Sequence, residues 1–121
     1  MGAELEFRSQ ELKGCVISRL AGEVDMTRAG DLEGHLCSVV EQGHVVIDLS
    51  RVTFLDSTAL RAMIVAYRRA NVLGHSVRLA GATGPVRTML ETTRLSAVLE
   101  HHDDVGDAVE AALTDYHEAP R

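Results

Sequence analysis

The sequence has no tryptophan, two phenylalanines and two tyrosines among 121 residues. So few aromatic rings leave little on which single-stranded nucleic acid could stack. There are two cysteines, Cys15 and Cys37, and no CxxC pair. This excludes a disulfide framework and a thiolate zinc site. The two prolines, Pro85 and Pro120, form no proline-rich linker, and no repeat or low-complexity segment marks a domain boundary. The chain therefore reads as one domain over residues 1–121, with a core over about 5–113. No apolar run approaches the length of a membrane-spanning helix. The first residues, Met-Gly-Ala-Glu-Leu-Glu-Phe-Arg, lack the basic and apolar regions of a secretory signal. The expectation is a cytoplasmic protein that does not enter a membrane.

The net charge of −6 argues against nucleic acid as a direct partner, because such binders carry a basic excess. The charge is not evenly spread. Residues 1–60 hold five bases and ten acids, residues 61–94 hold six arginines against Glu91, and residues 95–121 hold seven acids and one arginine. One reading is a set of solvated faces that partly cancel. The other is a bipolar surface that steers a protein partner.

Hydrophobic periodicity supplies the elements. Leu5–Phe7 reads as an edge strand, Gln10–Gly14 as a turn and Cys15–Leu20 as a second strand, which together make a hairpin. Thr27 is a candidate N-cap for a helix to about Gln42, with Leu32, Leu36, Val39 and Val40 at helical spacing and Gly43 as the stop. His44–Leu49 has the near-continuous apolar character of a central strand covered on both faces, followed by a loop over 50–55. Leu60, Met63, Ile64 and Tyr67 mark a helix running to about Leu73. Ser76–Ala80 alternates as a strand, Gly81–Gly84 is a turn, and Pro85 fits the first turn of a helix that ends near Thr93. Leu95–Leu99 contains a last strand, and Asp103 or Asp104 caps a final helix. The order ββαβαβαβα implies an α/β layered fold, with a mixed, mostly parallel sheet of about five strands and about four helices.

Asp56-Ser57-Thr58 is the most informative spot, because it stands where a strand hands over to a helix, the end of a parallel sheet that usually carries function. Read structurally, Ser57 or Thr58 is an N-cap. Read functionally, Ser57 is an accessible hydroxyl that accepts phosphate. A phosphate adds about −1.5 to −2 charges. At ~6 Å from a carboxylate and an effective dielectric near ~20, the repulsion reaches ~5 kcal/mol. Solvent and salt reduce it to roughly 1–3 kcal/mol, and each ~1.4 kcal/mol is tenfold in affinity.

Gly22-Glu23-Val24-Asp25, Val46-Ile47-Asp48-Leu49-Ser50 and Val52-Thr53-Phe54-Leu55-Asp56-Ser57-Thr58-Ala59-Leu60 resemble the signature segments of STAS domains, and more narrowly of the bacterial anti-sigma factor antagonists. The resemblance runs from about Leu5 to Leu113. It implies that Ser57 is phosphorylated by an anti-sigma factor with serine kinase activity, that Asp25 and Asp56 lie near it, and that Thr58 is the neighbouring, lesser hydroxyl. It further implies a module that binds the anti-sigma factor when unphosphorylated, frees a sigma factor, and is reset by a separate phosphatase. No cofactor of its own is implied; ATP and magnesium belong to the kinase. Ala59 departs from the family, which often has glycine there.

After Ser57 the helix offers Arg61, Ala62, Val65, Arg68 and Arg69. These are either a solvated face beside a broad buried stripe or part of a docking surface, small apolar residues ringed by arginine. A constitutively binding subunit of a sensory or lipid-transport assembly is the alternative within the same family. An enzyme using Ser57 and a histidine is the third reading, but no Gly-x-Ser-x-Gly elbow surrounds Ser57. His101-His102 precede two aspartates, yet adjacent residues point apart on a strand, so a polar loop is preferred over a metal site. Gly81-Ala82-Thr83-Gly84 lacks the Gly-Lys-Ser/Thr ending of a phosphate-binding loop.

Overall fold

The computed structural model describes residues 5–118. Five strands form one sheet in the order β1-β2-β3-β4-β5: β1 Glu6–Leu12, β2 Cys15–Val24, β3 His44–Leu55, β4 Val77–Ala80 and β5 His101–His102. Only the β1–β2 pair is antiparallel; β2–β3, β3–β4 and β4–β5 are parallel. The helices are α1 Ala29–Val39, α2 Ser57–Leu73, α3 Gly84–Thr92 and α4 Val105–Glu118, in the alternation expected from periodicity.

The sheet is covered on both faces, and β3 shows why. Val45, Ile47 and Leu49 pack with Leu32 and Leu36 of α1 and Met63 of α2, whereas Val46 packs with Ala108, Val109 and Ala112 of α4. All four β3 side chains are fully buried, which accounts for the unbroken apolar run. Cys15 is buried on the α4 face, and burial pushes its thiol pKa up; Cys37 is half-buried.

Several boundaries differ from the expectation. The first strand continues through Gln10–Leu12, and the turn is only Lys13-Gly14, with φ of 53° and 85°. Two consecutive left-handed residues form the tight primed turn that suits the twist of a hairpin. The first helix is not capped by Thr27 and does not reach Gln42. Its N-cap is Arg28 and its C-cap is Val40. Gly43 serves the packing instead: a Cβ there would stand 2.9 Å from the Gly14 carbonyl oxygen, so the chain leaving α1 can pass the hairpin only without a side chain.

The segment 50–55 is not a loop but the second half of β3, paired with β2 up to Val24 and Leu55. Leu95–Ala97 is a 3-10 turn, not a strand. The fifth strand is His101–His102, where the His101 ring accepts the Ala82 N–H. Asp104, with its carboxylate on the Asp107 N–H, begins the last helix as expected.

Candidate functional site

The end of β2 and the end of β3 lie side by side, Val24 opposite Leu55. The next residues are Asp25 and Asp56, and the Asp56 N–H reaches back to the Val24 carbonyl at 3.2 Å. Each aspartate then closes a small turn on a threonine two residues later. Asp25 Oδ1 accepts the Thr27 N–H at 3.0 Å and the Thr27 hydroxyl at 2.6 Å. Asp56 Oδ1 accepts the Thr58 N–H at 3.0 Å, the Thr58 hydroxyl and the Ala59 N–H at 3.1 Å. The Thr27 hydroxyl, then the Thr27 N–H and the charge on Arg28, hold the Asp25 carboxyl below its ordinary pKa against the pull of burial.

Asp56 is therefore the N-cap of α2, and neither Ser57 nor Thr58 fills that role. The correction has a chemical consequence. Capping by Asp56 satisfies the second and third free N–H groups of the helix and leaves Ser57 at its first position. Ser57 is exposed, and among the described residues its hydroxyl has no hydrogen-bond partner. The Thr58 hydroxyl is half-buried and engaged with Asp56. Two adjacent hydroxyls thus have opposite standing: one is fixed, the other is presented. Asp25 and Asp56 lie at the same end of the sheet as Ser57, but their carboxylates orient the threonines. Ala59 turns its methyl inward, fully buried in the main core, so the substitution for glycine adds nothing to the surface around Ser57.

The expected contact residues on α2 divide. Arg61 and Arg68 are exposed and Val65 is half-buried, but Ala62 is only 2% exposed and packs in the core. The buried stripe of α2 is wide enough to take it. An open groove of about 440 Å³ begins at Ser57 and runs between α2 and the segment after α3. Its apolar lining comes from Leu60, Ile64, Val65 and Leu95. Arg61 and Arg68 rim it on the helix side, and Thr93 lies opposite.

The structure resolves the basic middle third into two groups. Arg69 pairs with Glu41 at 3.1 Å, Arg78 with Glu100 at 2.8 Å, and Arg87 with Asp103 at 3.4 Å and Glu91 at 3.6 Å. Arg61, Arg68 and Arg94 have no acidic partner among the described residues. Arg94 is exposed, stands between Thr93 and Leu95, and adopts φ of 60°, a left-handed conformation that arginine rarely takes. Sequence reading missed Arg94, Ile64 and Leu95. The block of arginines was the one available signal for Arg94. Met26, 71% exposed, and Phe54, 49% exposed, were also missed; each lies within two residues of one of the two aspartates.

The described histidines are engaged away from Ser57. His35 bonds to Ser18 and stacks on Phe7, His44 accepts the Ser76 N–H, His75 reaches the Val40 carbonyl, and His102 lies against Arg78 and Glu100. Among the described residues no group of His, Cys, Asp and Glu could hold a metal ion, and no helix is long and apolar enough to cross a membrane.

The STAS domain family model matches residues 6–108. The chain is 22% identical over 108 residues to the anti-sigma F factor antagonist of Paenibacillus polymyxa, covering 87% of this chain and 92% of that protein. It superposes on an anti-sigma factor antagonist from Mycobacterium paratuberculosis with a TM-score of 0.81 and 27% identity, over 90% of this chain and 94% of that one. The Bacillus cell fate determinant SpoIIAA in its phosphorylated form has the same fold, with a TM-score of 0.66 and 15% identity over 88% of this chain and 98% of that one.

Proposed function

From the premise that the chain belongs to the STAS domain family, we propose that it is a cytoplasmic anti-sigma factor antagonist switched by phosphate on Ser57. Unphosphorylated, it binds an anti-sigma factor with serine kinase activity and so releases a sigma factor. The partner then modifies it: Ser57 Oγ attacks the γ-phosphorus of ATP held by the kinase, the new O–P bond forms as the bond to the β-phosphate oxygen breaks, ADP leaves, and the hydroxyl proton passes to a base on the kinase. A separate phosphatase returns the serine by hydrolysis. The protein acts as a binding module and substrate rather than as an enzyme.

The observation that carries this reading is the free, exposed Ser57 hydroxyl on a capped helix start, beside a groove rimmed by Arg61 and Arg68. The groove supports Arg61, Val65 and Arg68 as docking residues, with Met26 and Phe54 as exposed apolar contacts. Ala62 supports that face from beneath. The names of the relatives point to the same role. A rigid turn that fixes Thr58 and presents Ser57 also accounts for the choice between the two hydroxyls.

The test is incubation with serine-kinase anti-sigma factors and Mg·ATP, followed by intact mass and fragment mapping. One phosphate on Ser57, absent from Ser57→Ala, is the expected result. Binding of such a partner without any phosphate transfer would defeat the switch and favour a constitutive subunit.

A further inference from the structure

Ser57 and Arg61 are four residues apart on α2 and line the same groove. That spacing places their Cβ atoms ~6 Å apart on one helix face. Arg68 lies two turns further along the same lining, and Arg94 follows Thr93 in the chain without lining the groove. None of these three arginines is engaged by an acid among the described residues, although the whole chain carries a net charge of −6. No acidic residue lines the groove. The unmodified protein thus keeps an arginine without an acidic partner, Arg61, one turn from the hydroxyl that would become a dianion, with Arg68 further along the same groove.

We infer that a phosphate on Ser57 is received by Arg61 of the same molecule, and that this pairing withdraws the positive charge with which the groove attracts an acidic partner segment. The inference rests on the reading of Ser57 as the phosphorylated residue. A phosphate of about −1.5 to −2 more than offsets the single charge of Arg61, whereas Arg68, about 16 Å from Ser57 along α2, lies beyond a screening length. An arginine fork suits phosphate oxygens well, and the four-residue spacing lets the pair form without moving the backbone. Release of the partner then has two parts: repulsion from the new charge and loss of an attraction that was there before. Acidic partner residues would be affected by the second even where they lie beyond reach of the phosphate itself.

The two parts leave opposite marks on the phosphate. The Asp56 and Asp25 carboxylates disfavour the dianion and raise its second pKa, whereas Arg61 lowers it. The experiment uses the full chain with phosphoserine encoded at position 57 during translation, titrated by phosphorus NMR through the second ionisation near pH ~6. Arg61→Gln is expected to raise the apparent pKa by about 0.5–1 unit relative to the parent, with Arg61→Lys returning most of the difference. An unchanged value in Arg61→Gln overturns the inference. An equal rise in Arg61→Lys also overturns it, because the effect then follows packing rather than charge. Since the phosphate is installed without a kinase, this result stands apart from the kinase assay: failure of phosphate transfer would defeat the functional reading and leave the titration intact.

Discussion

Two turns at one end of the sheet are built alike and used differently. Asp25-Met26-Thr27 and Asp56-Ser57-Thr58 each place an aspartate just after a strand and close its carboxylate on the threonine two residues on. The middle residue of each points away from that bond network. In the first turn it is Met26, an exposed apolar side chain; in the second it is Ser57, an exposed hydroxyl. The turn itself is a positioning device. What differs is the group presented and the surroundings: only the Ser57 turn opens directly onto the groove with Arg61 and Arg68. Aspartate and threonine fix the backbone, and the residue between them is turned to solvent.

Moving the serine from one turn to the other separates the turn from its surroundings. Ser57→Ala is expected to abolish phosphate incorporation by the proposed partner kinase, and Met26→Ser combined with Ser57→Ala is expected not to restore it, as read by intact mass. Restoration in the double variant would mean that the turn alone suffices and that the groove is irrelevant. Next in size is the contribution of the groove. Arg61→Gln with Arg68→Gln is expected to weaken the anti-sigma factor about tenfold at low salt and less at high salt, measured by titration calorimetry. Arg69→Gln, on the same helix but paired with Glu41, should change affinity less than about twofold.

The two aspartates also differ in what they support. Asp56→Ala removes the acceptor for two helix N–H groups and the Thr58 hydroxyl, and should cost about 1–2 kcal/mol in urea unfolding. Asp25→Ala removes the acceptor for one N–H and one hydroxyl outside the helix proper, both exposed, and should lower the urea midpoint less than Asp56→Ala does. The smallest effect contrasts this exposed end of the sheet with the opposite one, where His44 is buried at the start of β3. Burial first, then His75 and Arg78, hold the His44 pKa below its ordinary 6.5. The unfolded chain therefore binds a proton more readily than the folded one, so stability is full above pH 6.5 and falls as pH drops through the depressed folded value. Protonation at Nδ1 would also remove the acceptor of the Ser76 N–H. Urea midpoints measured on either side of that range should fall on the acid side in the parent and fall less in His44→Gln.

The succession of elements was legible because the core is written locally. Val45–Leu49 reads as a doubly covered strand, and the apolar residues of α1 and α2 recur at helical spacing. The second half of β3 was not legible for a physical reason. Beyond Asp48 it outruns β4, so Ser50, Arg51, Thr53 and Phe54 face solvent and the segment loses its apolar character. β1 was read too short because nearly all its residues are exposed, leaving no alternation to follow. Leu95–Leu99 looked like a strand because Leu95 and Leu99 are drawn to the core, yet the backbone between them turns. His101-His102 was too short and polar to suggest one.

Ser57 stood out at the strand–helix junction, and the signature segments named its family. Two things about it were not visible. A D-x-T pattern can cap with any of its three residues, and only the hydrogen bonds assign that role to Asp56. The groove depends on Thr93 and Leu95 coming to lie opposite α2, a long-range contact for which the sequence offered only a block of arginines.

The most direct test is a calorimetric titration of the anti-sigma factor with two preparations of the full chain, one unmodified and one carrying phosphoserine at position 57. A loss of affinity of at least about tenfold on phosphorylation is expected, with both preparations equally folded. Equal affinity for the two would mean that phosphate on Ser57 does not switch binding.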